Sequence, residues 1–304
     1  MRRSGSSGRW SHASFQTATA HLHRGSHDLT FTVLGQGFIG SHLLSFLRQQ
    51  GYDCIAPSRA ELDQLRGRHL GHVIYCIGVT ADFRSRPLDT VRAHVCRLLE
   101  ILGSTDFDSL LYLSSTRVYG SVSEGRETEN AFRIDPASSS DLYNLSKLMG
   151  ESLCLSVERQ SVRVARLSNV YGADWTSDNF LSSVIRSAVD HGSVVFRSAP
   201  DSAKDYIAVE DAVRLLTGIS LRGGERLYNI ASGKPVTNAQ LAEKLQGWGS
   251  EVAFDDGAPL VTFPIIDTTR VREEFAFTPR SVLDDLPGLL AQYRDWSAND
   301  SHRS

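Results

Sequence analysis

Apolar positions along this chain alternate between two periods. Short apolar and β-branched runs at 29–34, 52–56, 72–77, 110–113 and 162–167 read as strands. The segments between them carry helical stripes. Ile39, Leu43, Leu44 and Leu47 form one, with Gly51 where a C-terminal cap falls. Val91, Val95, Leu98, Leu99 and Leu102 form the next, ending at Gly103, and a third helix begins near Asp141. Strand and helix in strict succession predict an α/β fold with a doubly wound parallel sheet. Right-handed crossovers bring the carboxyl ends of the strands to one edge, so the turn at 35–40, Ser115 and Asn169 should face one crevice.

After Gly172 the pattern loosens. A helix at 180–189, short strands at 194–196, 206–209 and 227–230, and a helix near Asp211 follow. Thr237 and Gln240 form a capping box for a helix at 241–248, and a last helix covers 281–296. This predicts a doubly wound sheet domain over 29–174, with returning segments near 204–232. A smaller interleaved substrate lobe takes 175–203 and 233–297, and 298–304 is a tail. Residues 1–28 are rich in Ser, Arg and His with no acid before Asp28, and read as a disordered tail, a tag or an over-long start. A transit peptide shares that composition, but the segment lacks an apolar face.

Charge changes the picture mainly by exclusion. With 32 basic and 35 acidic residues among 304, the chain has no global field for a nucleic-acid partner. No apolar run approaches the roughly 20 residues that span a bilayer, so no membrane partner is expected. Cys54, Cys76, Cys96 and Cys154 are scattered through apolar segments without a C-x-x-C pair. That suggests no metal site, and buried thiols in a reducing cytoplasm.

The chemistry begins at Gly35-Gln-Gly-Phe-Ile-Gly40, between the first strand and the first helix. Gly35 permits the tight turn, Gly37 lets backbone approach a pyrophosphate, and Gly40 lets the helix pack on the strand. With Phe38 and Ile39 they form a phosphate-binding helix start, the Rossmann signature. An acid about 20 residues on would bind the adenosine ribose of NAD. The chain has Pro57, Ser58 and Arg59 there instead. Arg59 is either a partner for the 2′-phosphate of NADP or adenine, or a solvated arginine. The cofactor is therefore NAD or NADP, with a tilt towards NADP. Tyr143 and Lys147 lie four apart on a helix, which puts a phenol one turn from an ammonium. A nearby cation favours phenolate and suits the tyrosine to acid–base work. The lysine is also placed for ribose hydroxyls, and Ser115, after the fourth strand, for the substrate oxygen.

These motifs, with Leu113-Ser-Ser-Thr-Arg-Val-Tyr-Gly120, Arg166-Leu-Ser-Asn-Val-Tyr-Gly172, Lys204-Asp-Tyr-Ile-Ala-Val-Glu-Asp211 and Tyr228-Asn-Ile-Ala-Ser-Gly233, resemble the extended short-chain dehydrogenase/reductase superfamily. The specific resemblance is to its NAD-dependent epimerase/dehydratase family of nucleotide-sugar enzymes. The resemblance implies Ser115, Tyr143 and Lys147 as catalytic residues. It implies cofactor contacts at Ser114, Leu167 and Ser168 and at Asp63 for adenine, and substrate contacts at Ser115, Thr116, Asn169 and Lys204. Lysine at 204 stands where many members have an arginine for the substrate diphosphate, and lacks its bidentate fork. Residues near 205 and the loop 175–179 should shape the sugar pocket. The resemblance also implies a homodimer, paired through the helices at 88–102 and 142–157.

Dehydratases of this family carry an Asp-Glu pair where this chain has Thr116 and Arg117, and decarboxylases usually keep the Glu. The expectation is therefore an enzyme that is not a dehydratase. The reading is an epimerase-like oxidoreductase that passes through a keto sugar. The alternative is an NADPH-dependent 4-keto-sugar reductase, and a non-catalytic dinucleotide-binding regulator is the remaining one. His94, where relatives have an asparagine, is expected to be a packed histidine without a catalytic role.

Overall fold

The structure is a computed structural model that describes residues 29–79 and 82–300. The stretch 1–28 and residues 301–304, on which the tail expectations fall, lie outside the described residues. Strand β1 (Thr30–Leu34) runs into the glycine turn and helix α1 (Phe38–Gln49), which turns Leu43, Leu44 and Leu47 inward. Gly51 then takes φ +81°, the left-handed value that ends a helix cheaply only in glycine. Next come β2 (Asp53–Ile55), β3 (His72–Tyr75), helix α2 (87–104), β4 (Ser109–Ser115), α3 (Ser139–Ser156) and β5 (Val162–Leu167).

The later elements are β6 (Asn169–Tyr171), α4 (Phe180–Asp190), β7 (Ser193–Phe196), β8 (Ala203–Lys204), β9 (Tyr206–Ala208), α5 (Val209–Arg222) and β10 (Leu227–Ile230). They end with β11 (Val236–Thr237), α6 (Asn238–Trp248), β12 (Glu251–Phe254), α7 (Thr269–Phe275) and α8 (Val282–Asp300). Six of the strands form one parallel sheet in the order β10-β5-β4-β3-β1-β2. This is the doubly wound sheet expected from the pattern. The chain leaves β1 for β2 on one side and returns to β3 on the other, so β1 and β3 flank a topological switch point.

Period-two alternation sorts the core. Val33, Ile74, Leu111 and Ala165 point to the side covered by α1 and α5. Leu34, Val73, Tyr75, Leu110, Tyr112 and Val164 point to the side covered by α2 and α3. A separate core joins α4, α6 and α8 through Leu181, Ile185, Leu241, Leu245, Leu286 and Leu290.

Three details depart from the pattern. The segment 59–65 folds as a 3₁₀ helix, because Ser58 and Glu61 close a capping box and Leu62 and Leu65 are buried three apart. Helix α2 is α-helical at Pro87–Val91 and Arg97–Ser104 but makes a π turn at Arg92–Cys96. That turn drives His94 fully inside. Helix α8 continues past 296 to Asp300, with Val282, Leu286, Leu289, Leu290 and Tyr293 keeping its buried stripe. Among the described residues no helix is long and apolar enough to cross a membrane.

Candidate active site

The switch point opens into a cleft of ≈ 330 Å³. The sheet side contributes Gly37, Phe38, Ile39 and Gly40 from the turn, Ser114 and Ser115 from the end of β4, Tyr143 and Lys147 from α3, Leu167 from the end of β5 and Asn169 from the start of β6. Asp174, Asn179, Phe180 and Tyr206 close the other wall.

The three glycines differ. Gly35 has φ +101°, and a Cβ there would sit 2.8 Å from the Cys76 and Ile77 backbone. A Cβ on Gly40 would run into the Gly35 carbonyl oxygen. A Cβ on Gly37 would meet nothing within 4 Å. The protein therefore needs the first and third glycines for its own packing, and the second only for something that approaches from the cleft. Among the described residues no side chain caps the N-terminus of α1, and no acid lies in its first turn. Its N–H groups and positive dipole end are free for phosphate oxygens. These residues fit the pyrophosphate of a dinucleotide.

Tyr143 is 7% exposed. Burial raises its phenol pKa, while a hydrogen bond from Ser115 and the charge of Arg117 pull it down. Ser115 Oγ accepts the Arg117 N–H at 3.2 Å, which leaves its own proton for the phenol or a substrate oxygen. The Lys147 ammonium donates to the Leu113 carbonyl at 2.9 Å. Burial pushes its pKa down to about 7, against the opposing pull of Glu151 and Cys76. The two cations stand at similar range from the tyrosine ring: Arg117 Cζ at 5.6 Å and Lys147 Nζ at 5.9 Å from its centroid. Arg117 is the one whose charge acts on the phenol.

Beneath this group lies a buried network. Tyr143, Lys147 and Glu151 follow one another at four-residue spacing on α3. Glu151 accepts from Ser114 Oγ at 2.5 Å and from Arg166 Nε at 2.9 Å and Nη2 at 2.5 Å. Arg166 also donates to the Tyr119 hydroxyl at 2.8 Å, which in turn donates to Asn229 at 2.9 Å.

Several residues singled out from the sequence lie off the cleft lining. Gly35 sits behind the turn against β3. Arg59 is exposed at the start of the 3₁₀ helix. Asp63 pairs with Arg97 at 2.5 Å. Thr116 is 4% exposed, packed beneath the site. Lys204 stands with Nζ 3.6 Å from the centroid of the lining residue Phe180, and burial lowers its pKa to about 8.

Other lining residues were not singled out. Cys76, Ile77 and Gly78 line the cleft at the end of β3. Their signal was the switch point itself, which only the strand order reveals. Gln36 bridges the turn to the end of β2 by donating to the carbonyls of Ala56 at 2.9 Å and Pro57 at 3.4 Å. Two buried hydroxyls of the lining, Ser168 Oγ and Tyr206 Oη, have no hydrogen-bond partner among the described residues.

A doubly wound sheet whose switch point holds a glycine turn and a Tyr-Lys helix defines a Rossmann-type protein. The sequence model of the NAD dependent epimerase/dehydratase family matches residues 32–231, and the chain belongs to that family. Among curated relatives it is 28% identical over 201 residues to dTDP-glucose 4,6-dehydratase of Streptomyces griseus, covering 62% of this chain and 60% of that one. The corresponding enzyme of Streptomyces niveus is 27% identical, over 81% of this chain and 71% of the relative. UDP-glucuronic acid decarboxylase 1 of Arabidopsis thaliana is 23% identical, over 88% and 70%. The chain thus spans less than two thirds of the S. griseus enzyme.

Two solved structures share the fold. MoeE5 in complex with UDP-glucose and NAD has a TM-score of 0.69 at 20% identity, covering 89% of this chain and 99% of that one. RMD from Pseudomonas aeruginosa complexed with NADPH has a TM-score of 0.70 at 22% identity, covering 88% and 99%.

These relatives correct one expectation. The exclusion of dehydratases from Thr116 and Arg117 does not stand, since the relatives include two dTDP-glucose 4,6-dehydratases, and decarboxylases are among them too. The physical flaw lay in tying elimination chemistry to two consecutive positions. Thr116 is buried beneath the site and Arg117 lies over the Tyr143 ring. An acid elsewhere, Asp174, lines the cleft, and burial raises its pKa towards the protonated form.

Proposed function

We propose that this chain oxidises a ring hydroxyl of a nucleotide sugar to a ketone, with Tyr143 handling the proton, Ser115 aligning the substrate oxygen and Lys147 supporting the cofactor ribose. One observation carries the reading. Ser115, Tyr143 and Lys147 meet in a single cleft with the open side of Gly37, so phosphate site and proton-transfer group share one ligand. In the absence of ligand, burial keeps the phenol protonated. Bound in the cleft, an oxidised nicotinamide supplies the hydride acceptor and a positive charge that favours phenolate. Tyr143 then takes the hydroxyl proton, and Ser115 offers its own proton to the same oxygen. In this reading Asn169, which lines the cleft, contacts the substrate diphosphate, and Lys204, beside the lining residue Phe180, is its charged partner.

In the epimerase form of this reading the hydride returns to the opposite face of the keto sugar. The exposed Arg59 and the missing ribose acid favour a second form, an NADPH-linked reduction of a 4-keto sugar. A homodimer is part of the proposal, through Leu88, Leu99, Leu145, Met149 and Leu155, which are 70%, 54%, 40%, 48% and 38% exposed along α2 and α3. So is a cytoplasmic setting, supported by four free thiols.

The test is to release the bound dinucleotide from purified protein and identify it by mass spectrometry. The protein and its Tyr143→Phe variant are then assayed with nucleotide sugars while substrate, keto form, epimer and dehydrated product are followed. We expect Tyr143→Phe to keep dinucleotide binding and lose about 10²- to 10⁴-fold in turnover. Near-wild-type turnover in that variant overturns the assignment. Retained NAD with epimer as product supports the first form, and NADPH consumed in proportion to product supports the second.

A further inference from the structure

Two buried cations share one buried carboxylate beneath the cleft. Lys147 and Glu151 are both buried on the inner face of α3, and Arg166 is buried on β5. Glu151 takes the fork of the Arg166 guanidinium, and Ser114 Oγ of β4 donates to the same carboxylate. Among the described residues no carboxylate pairs directly with Lys147, whose ammonium donates to the Leu113 carbonyl. Leu113 and Ser114 are consecutive on β4, so the strand grips the helix at two side chains one turn apart. Residues at that spacing share a helix face. The Glu151 carboxylate is thereby held from β4 and β5 on the face that carries the ammonium.

The other titratable groups around Lys147 are held neutral. On β3, or just past its end, burial pushes the Cys76 thiol up to about 12. On α2, burial and then the Lys147 charge push His94 down to about 2. His94 Nε2 and Lys147 Nζ would lie 3.3 and 3.7 Å from a Cβ on Gly78, so the two flank that residue. On β4, the Tyr112 ring centroid is 5.2 Å from Lys147 Nζ, and burial raises its phenol pKa. On α3 itself, burial raises the Tyr143 phenol. Across the sheet, Arg166 is a second cation. Burial works to strip the lysine of its proton, and Glu151 is the group that opposes this most. Pairing with Arg166 alone does not require a carboxylate one turn from Lys147.

We propose that Glu151 is a positioning residue with two tasks: it fixes Arg166, and it is the counter-ion that keeps Lys147 an ammonium able to donate to the cofactor ribose. This deepens the functional reading above, and the ribose contact rests on it.

The test reads the charge of Lys147 directly. The chain has four lysines, Lys147, Lys204, Lys234 and Lys244. With isotope-labelled lysine Cε each gives its own magnetic-resonance signal, and single Lys→Arg variants assign them. The Lys147 signal is followed against pH in the full chain. We expect Glu151→Gln to lower its midpoint by about one pH unit or more, a ten-fold fall in the charged-to-neutral ratio, while the other three lysines keep theirs. Glu151→Leu combined with Arg166→Met removes both members of the pair and should also titrate low, even as it regains stability. That double variant decides the matter if Glu151→Gln fails to fold. A Lys147 midpoint within about 0.3 units of wild type, or above it, in a folded variant overturns the proposal. Dinucleotide affinity is measured on the same samples. A lowered midpoint with unweakened dinucleotide binding at every pH would remove Lys147 from the ribose and sink that part of the functional reading, while Glu151 stands as the counter-ion.

Discussion

His94 Nδ1 lies 2.8 Å from Ser146 Oγ, the residue next to Lys147 on α3. The other ring nitrogen accepts the Val79 N–H at 3.3 Å, so Nδ1 carries the proton and Ser146 accepts it. Ser146 in turn donates to the Tyr143 carbonyl at 2.8 Å, and the His94 ring meets the Tyr143 ring edge-on at 5.3 Å. The histidine therefore ties the end of β3, through the π turn of α2, to the helix that carries the reactive pair.

Burial and the Lys147 charge push the His94 pKa down to about 2. Its unfolded value is about 6.5. The unfolded chain thus takes up a proton that the folded one refuses. The stability is fully present above about pH 6.5 and falls as pH drops below it, by up to about 1.4 kcal/mol per pH unit. Denaturant titrations from pH 7 to 4 should show this slope in the wild type and a shallower one in His94→Asn. Parallel curves would mean that the histidine is protonated in the fold.

The Glu151–Arg166 pair is buried at both ends, 4% and 3% exposed at the side chain. Removing one partner strands a charge away from water. Glu151→Gln should cost about 3–5 kcal/mol in chemical denaturation. Glu151→Leu combined with Arg166→Met should recover part of that loss. A single variant within about 0.5 kcal/mol of wild type would show that water reaches the pair.

Gly37 and Gly40 should separate stability from binding. Gly40→Ala drives a methyl group into the Gly35 carbonyl and should unfold or strongly destabilise the protein. Gly37→Ala places its methyl in open space and should melt like wild type, yet bind dinucleotide about ten-fold or more weakly. Thermal melts beside calorimetric binding check both. Unchanged affinity in Gly37→Ala would move the phosphates elsewhere.

Local signals carried most of the architecture. The strand at 227–230, the Thr237–Gln240 capping box and the stop at Gly51 lie where the sequence places them, because each is set by residues within one turn. The parallel sheet followed from the alternation of periods. What stayed hidden depends on residues far apart in the chain. The π turn at 92–96 exists to seat His94 between Val79 and Ser146, 15 and 52 residues away. The cleft role of Cys76 to Gly78 follows from strand order, and that of Tyr206 from the pairing of β9 with β6. Lys147 was legible as a cation by its spacing from Tyr143. Arg117 was read for the acid it replaces, and its position over the tyrosine ring emerged only in three dimensions.

The two walls of the cleft belong to different hydrophobic cores, one around the sheet and one around α4, α6 and α8. A molecule lodged between them adds contacts that both cores share, so occupancy changes how the chain comes apart as well as how firmly it holds. Without ligand the α4–α6–α8 core should melt ahead of the sheet and broaden the heat-absorption peak. With the cleft filled, the two should melt as one cooperative unit, and the sharpness of that peak becomes a gauge of occupancy that needs no knowledge of the reaction.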